Sequence, residues 1–278
     1  MTLESGLYVA ATPIGNLKDV TYRVIETLAA ADRILCEDTR QTGKLCAAYG
    51  VKTPRAAYNE HNAERVQPRI IEELKAGAAI CLVSDAGTPL ISDPGFRLVR
   101  AAREAGVRVI PLPGPSAAIA ALSASGAPAE KFFFAGFAPA KAEARLAYFK
   151  SLAACDATLV FYESPSRLGD SLAAMAAAFG ERRAVVAREL TKIYEEFDEA
   201  PLQELADKYS AAATKGEIVV LVFPPVAPKA ATAMDIDAFL EAALASMSVK
   251  DAATAAADAL GVPKKAAYAR ALGLKGGR

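Results

Sequence analysis

The chain has 278 residues, 53% hydrophobic and 23% charged; that much apolar side chain offsets the entropy of ordering and argues against a disordered chain. The length exceeds an average domain of about 100–150 residues, so two compact units with a small appendage are expected. Lys+Arg and Asp+Glu number 32 each, which argues against coating nucleic acid by a global positive field, so RNA contact would have to be local.

No apolar run approaches the roughly 20 residues of a membrane span, and Met1–Gly6 carries neither the basic segment nor the apolar stretch of a signal peptide. A cytoplasmic protein without a membrane span is expected. Cys36, Cys46, Cys81 and Cys155 are widely spaced with no C-x-x-C pair, which predicts reduced thiols and neither a disulfide nor a zinc site.

In chain order, Leu7–Ala11, Ile34–Cys36, Ala78–Val83 and Val107–Pro111 read as short apolar strands, with amphipathic helices over Val20–Ala30 and Phe96–Ala105. Ala79–Val83 is apolar at consecutive positions, as in parallel strands covered on both faces. This βαβ rhythm predicts an open α/β sheet whose ligand side is the C-terminal ends of the strands.

A second series follows Ser123–Glu130. Phe132–Phe134, Ala157–Tyr162, Ala184–Arg188 and Glu217–Phe223 read as strands, and Ala142–Ala153, Ser166–Ala178 and Leu202–Ala211 as helices. The prolines of Pro224–Pro228 cannot continue a central strand and mark a linker. Ile236–Ala245, Val249–Leu260 and Lys264–Leu272 then read as three helices, with Ser248 as N-cap, Gly261 as stop and Pro263 at a helix start. The predicted fold is α/β: an α/β domain over 1–122, a second over 123–224 with a cleft between them, and a linker with a small helical appendage over 225–278. The appendage fits a helix-turn-helix or a dimerisation arm. Residues 249–278 hold six basic and two acidic side chains, either a solvated end or a phosphate contact through Lys264, Lys265 and Arg270.

Ser84–Gly95 follows a fully apolar strand and is rich in turn formers. Gly87 permits close backbone approach and Asp85 can accept from hydroxyls or an amine; two plain turns fit the same residues. Pro111–Ser116 is a stiff turn that delivers Ser116 to the start of a helix. Thr12–Asp19 occupies the place of a dinucleotide-binding turn without its G-x-G-x-x-G pattern, and no G-x-x-x-x-G-K-[ST] stretch occurs. Cys36–Arg40 places Glu37, Asp38 and Arg40 at a strand end, and Tyr58–Asn62 sets His61, the single histidine, beside Glu60. Either cluster can contact substrate or accept a proton, while Asp38 or Thr39 can equally cap the next helix and His61 can be a solvated side chain. Phe161–Arg167 and Arg188–Glu195 place further polar residues after apolar strands. The lone histidine without a G-x-S-x-G elbow argues against a serine hydrolase.

Taken together, Thr12–Leu17, Cys36–Arg40, Ser84–Gly95, Pro113–Ser116 and Phe161–Pro165 resemble the tetrapyrrole-methylase superfamily, and more closely its ribosomal RNA branch, whose members modify a cytidine ribose 2′-hydroxyl in the 16S decoding region. The likeness runs in order along the chain and includes the helical end. The glycine-rich first loop and the G-D-P of tetrapyrrole enzymes are replaced here by Thr12–Leu17 and Asp85-Ala86, which favours the RNA branch.

The resemblance implies S-adenosylmethionine in the cleft, S-adenosylhomocysteine as product, no metal, a homodimer, and action on 16S rRNA in the small ribosomal subunit. By position it implies Pro13, Ser84, Asp85, Thr88, Ser116, Ala117, Tyr162 and Leu190 around the cofactor, beside Gly87 from the loop reading. An already activated methyl group asks mainly for alignment of the 2′-oxygen. Glu37, Asp38, Arg40, Glu60, His61, Lys192 and Glu195 are the candidates to hold the nucleotide or take its proton, with no unique base identified. Two other readings share these residues: a tetrapyrrole carbon methyltransferase, which needs no basic tail, and a non-catalytic ribosome assembly factor.

Overall fold

Ala79–Val83 becomes a strand buried at every position, because its alternate residues serve two cores. In the computed structural model, which describes residues 3–92, 95–211, 214–225 and 232–276, strands β1 (Gly6–Ala10), β2 (Arg33–Cys36), β3 (Arg55–Ala57), β4 (Ala79–Val83) and β5 (Val109–Leu112) form a wholly parallel sheet of order β3-β2-β4-β1-β5. Helices α1 (Tyr22–Ala30), α2 (Thr39–Ala48), α3 (Ala63–Lys75), α4 (Phe96–Glu104) and α5 (Ala117–Ala124) connect or follow these strands. Val24 and Leu28 of α1 and Leu45 of α2 pack with Cys81 and Val83 on one face; Ile70 and Leu74 of α3 and Leu98 of α4 pack with Ile80 and Leu82 on the other. Each such leucine contributes roughly 1.5–3 kcal/mol by leaving water.

The second sheet contains β6 (Phe132–Phe137), β7 (Thr158–Glu163), β8 (Arg183–Arg188), β9 (Glu196–Pro201) and β10 (Ile218–Val222), in order β6-β7-β10-β8-β9. Only β6 and β7 run parallel; the other pairings are antiparallel. Helices α6 (Ala142–Ser151), α7 (Leu168–Phe179) and α8 (Leu202–Ser210) accompany it. Leu168, Leu172, Leu202 and Leu205 cover one face with Phe149, Phe161 and Val220, while Ala118, Ala121 and Leu122 of α5 pack with Val160, Val185 and Leu221 on the other. Helix α5 spans residue 122 and packs on the second sheet, and both sheets lie in one compact unit, Met1–Pro225. β3, β9 and α3 were not among the predicted elements.

The second unit, Val226–Arg278, contains α9 (Ala233–Leu244), α10 (Val249–Leu260) and α11 (Lys264–Gly276) around Leu240, Ala252, Ala256, Ala267 and Ala271. Thr232 and Asp235 form a capping box, Ser248 accepts from the Asp251 amide, and Gly261 ends α10 in the left-handed region. Arg270 pairs bidentately with Asp237 at 2.5 and 2.8 Å, so that cation is engaged within its own unit. Among the described residues no helix is long and apolar enough to cross a membrane. Asp93 and Pro94 of the Ser84–Gly95 loop, Val226–Pro228 of the linker and Arg278 of the tail lie outside the described residues.

Candidate active site

The loops after β1, β4 and β5 are joined by backbone groups. Thr12 and Gly87 exchange amide–carbonyl hydrogen bonds at 2.8 and 2.9 Å, the Thr12 hydroxyl donates to the Ser84 carbonyl at 3.1 Å, and the Thr88 hydroxyl donates to the Pro115 carbonyl at 3.0 Å. Gly87 holds φ +79°, a conformation that a side chain would strain, and this turn directs the loop along one wall of a cavity of about 410 Å³.

Ile14, Asp85, Gly87, Thr88, Ile91 and Ala117 form the first-sheet wall of that cavity. Phe137, Tyr162, Glu163, Leu190 and Gly216–Val219 form the wall contributed by the second sheet. Tyr162 meets Phe134 and Phe137 edge-on, with centroids 5.0 and 5.6 Å apart. A largely apolar chamber with a few convergent polar groups is the usual form of a small-molecule site. Its residues fit S-adenosylmethionine: aromatic and aliphatic side chains for the adenine, an exposed Asp85 carboxylate for ribose hydroxyls or the amine, and strand-end backbone groups for the rest.

Of the nine expected cofactor contacts, Asp85, Gly87, Thr88, Ala117, Tyr162 and Leu190 line this cavity. Ser84 stands beneath it: its buried hydroxyl donates to the Ala86 and Gly87 carbonyls at 3.3 and 3.0 Å and supports the turn. Pro13 is half-buried outside the lining, and Ser116 faces a neighbouring apolar depression with Ile119 and Phe132.

The other candidates fall in two places. On the first sheet, the Asp38 amide donates to the Asp85 carboxylate at 3.0 Å. Asp38 caps α2 through the Arg40 amide at 2.8 Å and pairs with the Arg40 guanidinium at 2.7 Å, which together hold its carboxyl down at about 2; the capping alternative is the one its geometry expresses. Burial raises the Glu37 carboxyl, and the neighbouring Asp85, Glu60 and Asp38 charges raise it further. Glu60 and His61 are exposed at the rim of a separate cavity. On the second sheet, Lys192 pairs with Glu189 at 2.8 Å and Glu217 at 3.0 Å. Burial pulls its ammonium down, but those two bonds outweigh it and the pKa is raised, so the side chain holds its proton more firmly than an ordinary lysine. Its stem lies over Gly15 of the first loop. Glu195 accepts from the Thr191 amide at 2.6 Å and shapes the β8–β9 turn.

Sequence reasoning placed Glu163 among the polar residues after an apolar strand without giving it a role, and did not single out Phe137 or Gly216. Glu163 is buried at the end of β7, accepting from the Ser171 hydroxyl at 2.5 Å and the Ser164 amide at 2.8 Å; a lone carboxylate closing the apolar run Thr158–Tyr162 was the available signal.

A strand-end cavity between two α/β layers defines the class, and comparison with known families agrees. Residues 6–206 match the family described as tetrapyrrole (corrin/porphyrin) methylases, and residues 230–275 match the RsmI C-terminal HTH domain. The chain belongs to the tetrapyrrole methylase family, a family of methyltransferases. It is 52% identical over 275 residues to the ribosomal RNA small subunit methyltransferase I of Mesorhizobium japonicum, covering 98% of this chain and 93% of that relative. With the Escherichia coli O157:H7 protein of the same name it shares 46% over 276 residues, 98% and 96% of the two chains. Within the family the chain therefore falls in the ribosomal RNA small subunit methyltransferase I branch. The solved structure of a diphthine synthase superposes with a TM-score of 0.62 at 16% identity, covering 78% of this chain and 89% of that one, a likeness of fold alone.

Proposed function

We propose that this chain methylates the ribose 2′-hydroxyl of a cytidine in the decoding region of 16S rRNA, on the small ribosomal subunit, using S-adenosylmethionine. The observation that carries the reading is the extent of the likeness: relatives named for small subunit RNA methylation match over nearly the whole chain, helical unit included. When bound, S-adenosylmethionine supplies an electrophilic methyl group and leaves as S-adenosylhomocysteine.

The chain's own residues hold, orient and deprotonate. In this reading Asp85, Gly87, Thr88, Ala117, Tyr162 and Leu190 contact the cofactor, and Pro13, Ser84 and Ser116 support the loops that do. Glu37, whose carboxyl is raised by burial and by the neighbouring Asp85 charge, is one candidate acceptor for the 2′-hydroxyl proton. Asp38 and Arg40 fix the start of α2, Glu60 and His61 face the nucleotide, and Lys192 and Glu195 fix the opposing loop. Alignment of acceptor and methyl group supplies much of the barrier reduction.

We take the functional division to be 1–122, 123–224 and 225–278, and the working form to be a cytoplasmic homodimer. The exposed Phe132, Phe133 and Ile119 around edge strand β6 support a self-association surface. The test is transfer of radiolabelled methyl from S-adenosylmethionine to small subunits from cells lacking this enzyme, followed by nucleoside analysis. Labelled 2′-O-methylcytidine is expected; cofactor binding without label in the RNA overturns the substrate reading.

A further inference from the structure

A second cavity, of about 520 Å³, opens at the C-terminal end of β3, with Tyr58, Glu60, His61, Phe96 and Arg97 in its wall. Its chemistry differs from the first. Phe96 stands in the first turn of α4 and is 65% exposed, whereas Leu98 and Ala102 of the same helix are fully buried. The core therefore does not account for this aromatic ring. Arg97, next to it in the chain, is exposed, and Glu60 is an exposed carboxylate in the same lining. Gly95 caps α4 without a side-chain acceptor, so the turn carrying Phe96 and Arg97 begins at a helix N-terminus, where amide groups favour an anion.

Topology connects the two cavities. Strands β3, β2 and β4 are neighbours, and residues just beyond their C-terminal ends are Glu60, Glu37 with Asp38, and Asp85. Asp85 lines the first cavity, holds the Asp38 amide, and with Glu60 raises the Glu37 carboxyl. The centres of β3 and β4 are two strand spacings apart, about 10 Å, the scale of one nucleoside.

We infer that this second cavity holds the pyrimidine ring of the acceptor nucleotide, with Glu60 accepting from its exocyclic amine, Phe96 against its face and Arg97 toward the adjoining phosphate. The inference rests on the proposed RNA substrate and adds how the base is recognised. A carboxylate acceptor fits the amine at position 4 of cytosine and opposes the carbonyl of uracil. Stacking on an aromatic ring is the common way proteins hold an unstacked RNA base. With the base seated between β3 and α4, the ribose lies toward Glu37 and the cavity at Asp85.

The test is binding of a short single-stranded RNA with a central cytidine, and of its uridine counterpart, to the full-length protein with S-adenosylhomocysteine, read by fluorescence anisotropy. The wild-type protein prefers the cytidine strand; Glu60→Gln removes most of that preference, and Phe96→Ala weakens binding of both strands on the order of tenfold. Unchanged S-adenosylhomocysteine affinity in both variants shows that they remain folded. Equal binding of the two RNAs by the wild-type protein, or a preference and affinity untouched by both substitutions, overturns the inference. The readout is independent of methyl transfer, so failure of the transfer assay bears on the proposed reaction and not on this cavity.

Discussion

The carboxylate of Asp85 accepts the backbone amide of Asp38 at 3.0 Å, so one side chain both faces the larger cavity and ties the loop after β4 to the start of α2. Replacing Asp85 by Ala removes a charged acceptor from the cavity and an anchor from α2. A hydrogen bond to a charged group contributes about 1.5–3 kcal/mol, so S-adenosylhomocysteine affinity, measured by calorimetry, should fall on the order of tenfold or more. The Glu37 carboxyl, raised in part by the Asp85 charge, should titrate lower in the variant by NMR. Unchanged affinity would remove Asp85 from the cofactor contacts.

The Asp38–Arg40 pair sets a pH dependence. Two kinds of hydrogen bond from Arg40, side chain and amide, lower the Asp38 carboxyl from its ordinary 3.8 to about 2. The folded value lies below the unfolded one, so the contribution to stability is present above pH 3.8 and is lost as the pH falls through about 2. Arg40→Ala should move the Asp38 titration back toward 3.8 and flatten the fall in stability between those values, as followed by NMR and acid unfolding. An Asp38 titration that stays put would show that the α2 amide alone holds it.

Gly216 sits at φ +97°, and a Cβ there would overlap the Glu189 carboxylate. That carboxylate is held by Lys192 at 2.8 Å and by the Glu217 amide at 3.0 Å, so Gly216→Ala must displace it and disturb the Gly216–Val219 wall. The strained backbone costs on the order of 1–3 kcal/mol. A lower urea midpoint together with weaker S-adenosylhomocysteine binding is expected. Loss of stability with undiminished affinity would show that this wall does not touch the cofactor.

What the sequence made legible followed from burial on two faces. Ala79–Val83 and Ile218–Val222 are apolar throughout because helices cover them on both sides. β3 is only Arg55–Ala57, at an edge, and β9 is the acidic edge strand Glu196–Pro201, held to β8 by Arg183–Glu199 and Arg188–Glu196 pairs. Neither carries an apolar alternation, and Pro68 interrupts the local signal of α3. In the site, Asp85 and Thr88 were legible because turn formers follow a strand. Phe137 and Gly216 were not, since their approach to that loop depends on how the second sheet packs. Ser84 stands where such a contact belongs, but its hydroxyl turns inward to the loop carbonyls.

The helical unit allows the role of its cations to be separated. Lys264 and Lys265 are exposed in the first turn of α11, whereas Arg270 is paired with Asp237 across α11 and α9. If this unit meets RNA, exposed cations release counterions from phosphates, and an already paired one contributes less. Each phosphate contact adds about 0.7–0.9 to the slope of log affinity against log salt. Replacing both lysines by Ala should therefore weaken small-subunit binding and reduce that slope by about 1.4–1.8, whereas Arg270→Ala should chiefly lower the thermal stability of the helical unit. An unchanged slope in the double lysine variant would exclude these residues from phosphate contact, and a reduced slope in Arg270→Ala with undiminished stability would mean that Arg270 leaves Asp237 for the RNA.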